Sequence, residues 1–320
     1  MYIKMKRIQN KIAESRWSLP ITSIIAVLVW LIGGAFDMQM WIPFVCFVLS
    51  SYIMVELNTT FVLLRTYSRM ISCVFMALSC CSSFLFTATA NHCAVLFYIA
   101  SLMPLFKSYQ DRTSAGFTYY AFVALGMASL FWVQMLYFLP LIWLLMTICL
   151  RSISSRTFWA SVMGAITPYW FCMVYFIFAE DWETPLAHFS GLIDFGPIAT
   201  CSSFGEYVAQ FGTLGTERFI CLAFVMTLFV TGFVHFLRTR HLDKLNTRMF
   251  YDLLITIVFV TFALIFLLPH QFDMLYHLLM VCASPVIAHY ITHTRTRITN
   301  ISFLAMIAAA VVIIVVNLTI

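Results

Sequence analysis

The sequence predicts an all-α protein, a polytopic bundle of about eleven transmembrane helices with its N-terminus in the cytoplasm and its C-terminus outside. Three observations carry that prediction. Hydrophobic residues make up 62% of the 320-residue chain and charged residues only 10%, against roughly 25% charged in soluble domains. The apolar residues gather into segments near the ~20-residue length that spans a hydrocarbon core. All but Arg218 of the 18 Lys and Arg residues fall in alternate connections, the asymmetry by which cytoplasmic loops retain positive charge.

Met1–Arg16 is basic and polar and leads into a first span at Leu19–Phe36. That is a signal-peptide outline, but another apolar span follows in place of a cleavage site and a soluble domain, so it is expected to stay as an uncleaved helix. Further spans are expected near Trp41–Val55, Met70–Ala88, Cys93–Phe106 and Ala115–Phe131. Six more lie near Leu136–Leu150, Phe158–Phe178, Phe219–Leu237, Tyr251–Leu268, Met274–Ile291 and Ile298–Leu318. The stretch Ala115–Leu150 is too long for one crossing and divides as a tight hairpin near Trp132–Gln134. Acidic residues favour the side opposite the basic ones: Asp37, Glu180, Asp181, Glu183, Asp194, Glu206, Glu217 and Asp273 all fall there. Moving one span would reverse everything downstream and destroy this agreement.

Residues 1–320 form a single membrane domain with one long connection, 179–218, on the outer side. Its prolines, glycines and aromatics Trp182, Phe189, Phe195 and Phe204 predict short interfacial helices packed as a partial lid. The net charge of +5 implies no nucleic-acid partner, because the basic residues are dispersed in short loops that the membrane topology already explains. Eight of the 10 cysteines fall within or at the ends of spans, where Cys acts as a small hydrophobe. Cys93 and Cys201 share the outer side, which leaves a disulfide between them open. No CxxC or His/Cys spacing suggests zinc, the residues leave the cofactor open, and the motifs of ATPases, zinc proteases and serine hydrolases are absent.

Ionisable groups at membrane depth are costly, so each is a candidate. Asp37 follows the first span in GGAFDMQMW, where a carboxylate suits a general base or a holder of a divalent cation, and more commonly an acidic cap. Glu180 and Asp181 open the outer segment in AEDWETP. They suit assistance in sugar or phosphate handling, or a solvated helix end. His270, Asp273 and His277 in PHQFDMLYHLL are spaced to share one helix face, with Asp273 in reach of His277. They read as a polar stripe, with transport along it as the functional alternative. Glu56 is expected to pair with Arg65 or Arg69. Arg65 and Arg69 lie four apart in an amphipathic connection, Leu57–Arg69, that would meet anionic headgroups or a lipid phosphate.

The pieces ELNTTFVLLRTYSR, AGF…GMASLFW…LPLIW and GAITPYW resemble a family of polytopic bacterial inner-membrane proteins of similar length, from which no activity carries over. At greater distance the order of elements is similar to the membrane region of GT-C-type polyprenyl-phosphate-sugar glycosyltransferases. That resemblance implies an outer-side catalytic carboxylate after the first helix, which here is Asp37. It also implies a polyprenyl-phosphate lipid as partner beside the membrane lipids. The chain departs from those enzymes in its first outer loop, a bare turn at Asp37–Met40. The function expected is therefore GT-C-like transfer or binding of a polyprenyl-linked sugar in cell-envelope assembly. Asp37 would be its carboxylate, with Glu180 and Asp181 assisting. A non-enzymatic transporter or channel and a membrane scaffold subunit are the rivals.

Overall fold

The computed structural model describes residues 7–34, 40–193, 212 and 214–319. Among them every regular element is helical. The elements are α1 (Ile8–Ala13), α2 (Ser18–Ile32), α3 (Trp41–Phe61), α4 (Met70–Cys81), α5 (Thr89–Lys107), α6 (Ala115–Phe131), α7 (Phe138–Leu145), α8 (Ser155–Phe178) and α9 (Glu183–Ser190). After the outer segment come α10 (Thr216–Thr239), α11 (Leu245–Leu267), α12 (Phe272–His293) and α13 (Arg297–Thr319).

Eight of the described helical stretches are long and apolar enough to cross a membrane. Three shorter apolar helices, α2, α4 and α6, occupy the remaining expected spans. Helices suit this composition because a backbone in lipid must satisfy its polar groups within the segment. The interruptions have local causes. The expected span Met70–Ala88 breaks after Cys81, where the Ser82 hydroxyl donates to the Leu78 carbonyl and to the Tyr276 hydroxyl at 3.1 Å each. A 3-10 turn, Ser83–Leu85, follows. The hairpin falls where Trp132 turns extended, with φ −147° and ψ 99°. The stretch leading out of α7 ends as a π turn, Met146–Leu150, closed by left-handed Arg151. Ser154 then opens α8 with a reciprocal cap: it accepts from Thr157 N at 3.2 Å, while Thr157 Oγ1 accepts from Ser154 N at 2.7 Å.

The expectation for Leu57–Arg69 needs correction. It is not one amphipathic segment: α3 runs on to Phe61, and Val62 terminates it in the left-handed region at φ 49° and ψ 52°. An irregular connection then carries Arg65 and Arg69 to the start of α4.

The core is built around α12, whose most apolar window is 94% buried. It packs against α4, α10 and α11, and more lightly against α1 and α5. A second row runs α3, α5, α6, α8. There α6 and α8 approach backbone to backbone: a Cβ on Gly126 would stand 2.6 Å from the Ala165 carbonyl, and one on Gly164 2.5 Å from that of Tyr119. Small residues drive such pairs because lipid offers no hydrophobic incentive to associate. By contrast, α13 is only 6% buried and presents Ile301, Val311, Val312 and Val315 outward.

Contacts among helix ends sort the connections into two sets. At one end Arg7 donates to the Arg295 carbonyl at 2.6 Å, Gln9 Nε2 to those of Ile291 at 2.6 Å, and the Ser68 hydroxyl to Ala13 at 2.6 Å. Gln110 and Ser154 tie the α5–α6 and α7–α8 connections together there. This is the end that gathers the basic residues. At the opposite end Asn317 Nδ2 donates to the Cys81 carbonyl at 2.7 Å, Trp132 Nε1 to Gln271 Oε1 at 2.7 Å, and Gln134 Nε2 to the Gly191 carbonyl at 3.1 Å.

Candidate functional site

The central helix α12 carries ionisable groups near both of its ends, and the basic end holds the denser cluster. The connection between α10 and α11 is short and folded back, so that Asp243 points into the bundle. Arg248 clamps that connection, donating from Nε to the Asp243 carbonyl and from Nη2 to that of His241, each at 2.8 Å. Across from it, Arg65 reaches in from the irregular connection after α3 and donates from Nε to Asp243 Oδ1 at 2.6 Å. The Arg65 side chain is 29% exposed and that of Asp243 is fully buried.

His289, on the buried face of α12 and likewise fully buried, places Nε2 3.3 Å from Asp243 Oδ2. That is ion-pair range, yet neither atom completes a hydrogen bond there. Burial drives the Asp243 carboxyl up, but the contacts of His289 and Arg65 and their charges outweigh it and hold the group below its ordinary range.

Two more histidines complete the cluster. His293 lies one turn on, its ring centroid 4.4 Å from that of His289, and His235 of α10 stands 5.5 Å away. His293 Nδ1 lies 3.0 Å from the His289 carbonyl. A carbonyl only accepts, so in the neutral ring Nδ1 holds the proton and Nε2 offers a lone pair. Nε2 of His293, Nδ1 of His235, both ring nitrogens of His289 and Asp243 Oδ2 have no hydrogen-bond partner among the described residues. Tyr251 and Phe236 pack against His289 at 5.3 Å and 5.6 Å. The Tyr251 hydroxyl donates to the Leu63 and Pro285 carbonyls at 3.4 Å each. Buried polar groups are nearly always paired, so this concentration of unspent capacity marks the site.

At the opposite end of α12, His277 is buried against His92 with ring centroids 4.8 Å apart. His92 Nδ1 lies 3.1 Å from the Ala88 carbonyl, and Nδ1 of His277 has no partner among the described residues. The predicted bond from Asp273 to His277 does not form. Asp273 turns instead to Arg218, whose Nε and Nη2 donate to its two oxygens at 2.8 Å and 3.1 Å. A bidentate guanidinium outcompetes a neutral imidazole for a carboxylate. His270 lies in the 3-10 turn before α12 and is exposed. The predicted stripe is thus three separate environments.

Glu56 does not take Arg65 or Arg69 as its partner. It accepts from the Thr60 hydroxyl at 3.2 Å one turn along α3, because Arg65 is committed to Asp243. Arg69 lies with its guanidinium 5.9 Å over the Tyr67 ring. Asp181 accepts from Thr184 Oγ1 at 2.6 Å and from the backbone N–H groups of Thr184 and Glu183 at 3.1 Å each. It thereby caps α9, and the Thr184 bonds hold its carboxyl below the ordinary range. Glu180 is exposed and left-handed at φ 55°. Asp37 and Cys201 lie outside the described residues, as does most of the segment after Ile193. Cys93 Sγ stands 3.6 Å from Cys46 Sγ.

Sequence reasoning missed Asp243, His235, His289 and His293. The spacing His289-x-x-x-His293 was the one available signal, since four residues return to one helix face. Its meeting with Asp243 and Arg65 depends on contacts across 178 residues of sequence. Comparison with protein-family models, with curated proteins and with solved structures finds no match for this chain.

Proposed function

We propose that this chain is a proton-coupled transporter of the bacterial inner membrane, threaded eleven times with its basic end in the cytoplasm. The positive-inside asymmetry supports the orientation. One observation carries the activity: the Arg65/Asp243/His289 contact, in which the buried Asp243 faces a permanent cation on one oxygen and a buried imidazole on the other.

Ionisable residues buried within a membrane bundle are retained for ion and proton pathways, and a neutral imidazole can accept a proton. A proton taken by His289 turns the 3.3 Å approach into a charge-assisted bond to Asp243. It thereby competes with Arg65 for the carboxylate. Loss of the proton returns Asp243 to Arg65 alone. His277 and His92 form the buried pair at the other end, ~18 Å along α12 by helical rise. Tyr98 and Cys282, in contact at 3.2 Å, lie between the two.

The test is proton flux into liposomes holding the purified chain and a trapped pH dye. Flux that falls at least tenfold in His289→Gln, with folding retained, is the expected result. Unchanged flux in His289→Gln and in Asp243→Asn would reduce the cluster to a structural clamp and overturn the transport reading.

A GT-C-like transferase is the second reading. It draws on Glu180, whose left-handed backbone is the kind of strain that gathers at functional sites. Close by is a cavity of about 210 Å³ lined by Tyr169, Thr184 and His188. Mass spectrometry of envelope glycans in cells carrying Asp37→Asn or Glu180→Gln tests it. Glycans unchanged in both variants and in a deletion strain would end that reading.

A further inference from the structure

A cavity of about 270 Å³ opens between α2, α4 and α13, and its walls are almost wholly apolar. On α4 the lining residues Met70, Cys73, Val74 and Ala77 follow helical spacing along one face. The cavity thus runs from the basic end toward mid-bundle for ~12 Å, by helical rise from Met70 to Leu78. Its outer wall is the Phe303–Ala310 part of α13, the least buried of the long apolar helices. The cavity therefore faces the lipid side.

Toward the basic end its lining residues include Ile12, Ser18 and Met70. Beside them in the chain stand Lys11, Arg16 and Arg69. Lys11 and Arg16 are exposed. The Arg69 carbonyl accepts from the Cys73 N–H at 3.3 Å, which sets Arg69 one turn before Cys73. No ion pair to Arg69 forms among the described residues. Helix α1, which bears Lys11 and leads into the turn of Arg16, is pinned in place, Gln9 and Asn10 donating to Thr294 at 2.6 Å and 3.0 Å. An apolar slot with three cationic residues close in the chain to its basic-end lining suits one lipid chain with its phosphate.

We propose that this cavity is a binding site for an anionic glycerophospholipid. One acyl chain lies between α2, α4 and α13, and the phosphate rests on Lys11, Arg16 and Arg69. Diffuse attraction of basic loops to an anionic leaflet needs no cavity, and that difference sets the test. The proposal does not depend on proton transport, because its readout is thermal unfolding.

The full chain is placed in nanodiscs of phosphatidylglycerol or of phosphatidylcholine, and its unfolding temperature is measured. The expected result is a higher unfolding temperature in phosphatidylglycerol. The difference should vanish both in the combined variant Lys11→Gln, Arg16→Gln, Arg69→Gln and in Ala77→Trp, whose indole fills the slot. Equal unfolding temperatures in the two lipids for the wild-type chain would overturn the proposal. So would a difference that survives Ala77→Trp, which is the mark of surface attraction alone. If the triple variant fails to fold, Ala77→Trp still decides, since it adds packing and removes no charge. Native mass spectrometry of protein extracted from cell membranes closes the question of occupant. A retained phosphatidylglycerol supports the site, and a retained polyprenyl phosphate overturns the glycerophospholipid.

Discussion

The two ends of α12 solve the same problem differently. At the opposite end, Asp273 and Arg218 pair bidentately near the surface, with side chains 33% and 25% exposed, and His277 is left to pack against His92. At the basic end, a fully buried carboxylate is shared between Arg65 and His289. An ion pair that keeps contact with water gains little and costs little. A buried one is expensive to build and more expensive to break, because losing one partner strands the other charge. The comparison shows where charge is integral to the bundle and where it is peripheral.

The largest expected effect is at the buried pair. Asp243→Ala should lower folding stability by about 3–5 kcal/mol, whereas Asp273→Asn should cost about 1 kcal/mol or less. Denaturant unfolding in mixed micelles measures both, and equal costs would erase the contrast between the ends. A smaller effect is expected where α10 meets the middle of α12. A Cβ at Gly232 would stand 2.8 Å from the Val286 carbonyl, so Gly232→Leu should destabilise by about 1–3 kcal/mol through overpacking. The same unfolding assay reads it. A larger drop in the fluorescence of a probe at the basic end than at the other would show that the wedge acts on the cluster.

Acid should separate the ends as well. The Asp243 carboxyl is held below its ordinary value, so the unfolded chain binds the proton more readily than the folded one. Its stabilisation is therefore fully present above the unfolded value of about pH 4. It is lost as pH falls through the lower folded value. A titration of unfolding midpoint against pH should show this acid limb in the wild-type chain and a flatter one in Asp243→Asn. Smallest of all, His277→Leu should leave stability within about 1 kcal/mol of wild type, because it removes a buried nitrogen that has no partner. A loss several times larger would mean that His277 is held by a contact outside the described residues.

Much of the architecture was legible in the sequence because hydrophobicity and loop charge are local sums. The break at Trp132 and the boundaries near Trp41, Ala115 and Phe178 fall where span length and composition put them. The candidate site was legible only in part. His277 stood out as an ionisable residue inside an apolar run, and its burial follows. Its partner did not, because Asp273 one turn away offered a plausible local bond. Arg218, 55 residues distant, supplied a stronger one. Glu56 and Arg65 failed for the same reason: helical spacing ranks near neighbours and is blind to a carboxylate arriving from another connection.

By itself the sequence determined that this protein is a helical membrane bundle with segregated charge. Lipid enforces helices on any long apolar chain, and the positive-inside bias fixes which loops lie together. Only the tertiary structure decided that α12 is the axis, that Arg65 and His289 share Asp243, and that an apolar slot opens between α2, α4 and α13. Those are encounters between residues far apart in the chain. They depend on which faces of the helices pack, a choice that nearly uniform hydrophobicity leaves unwritten.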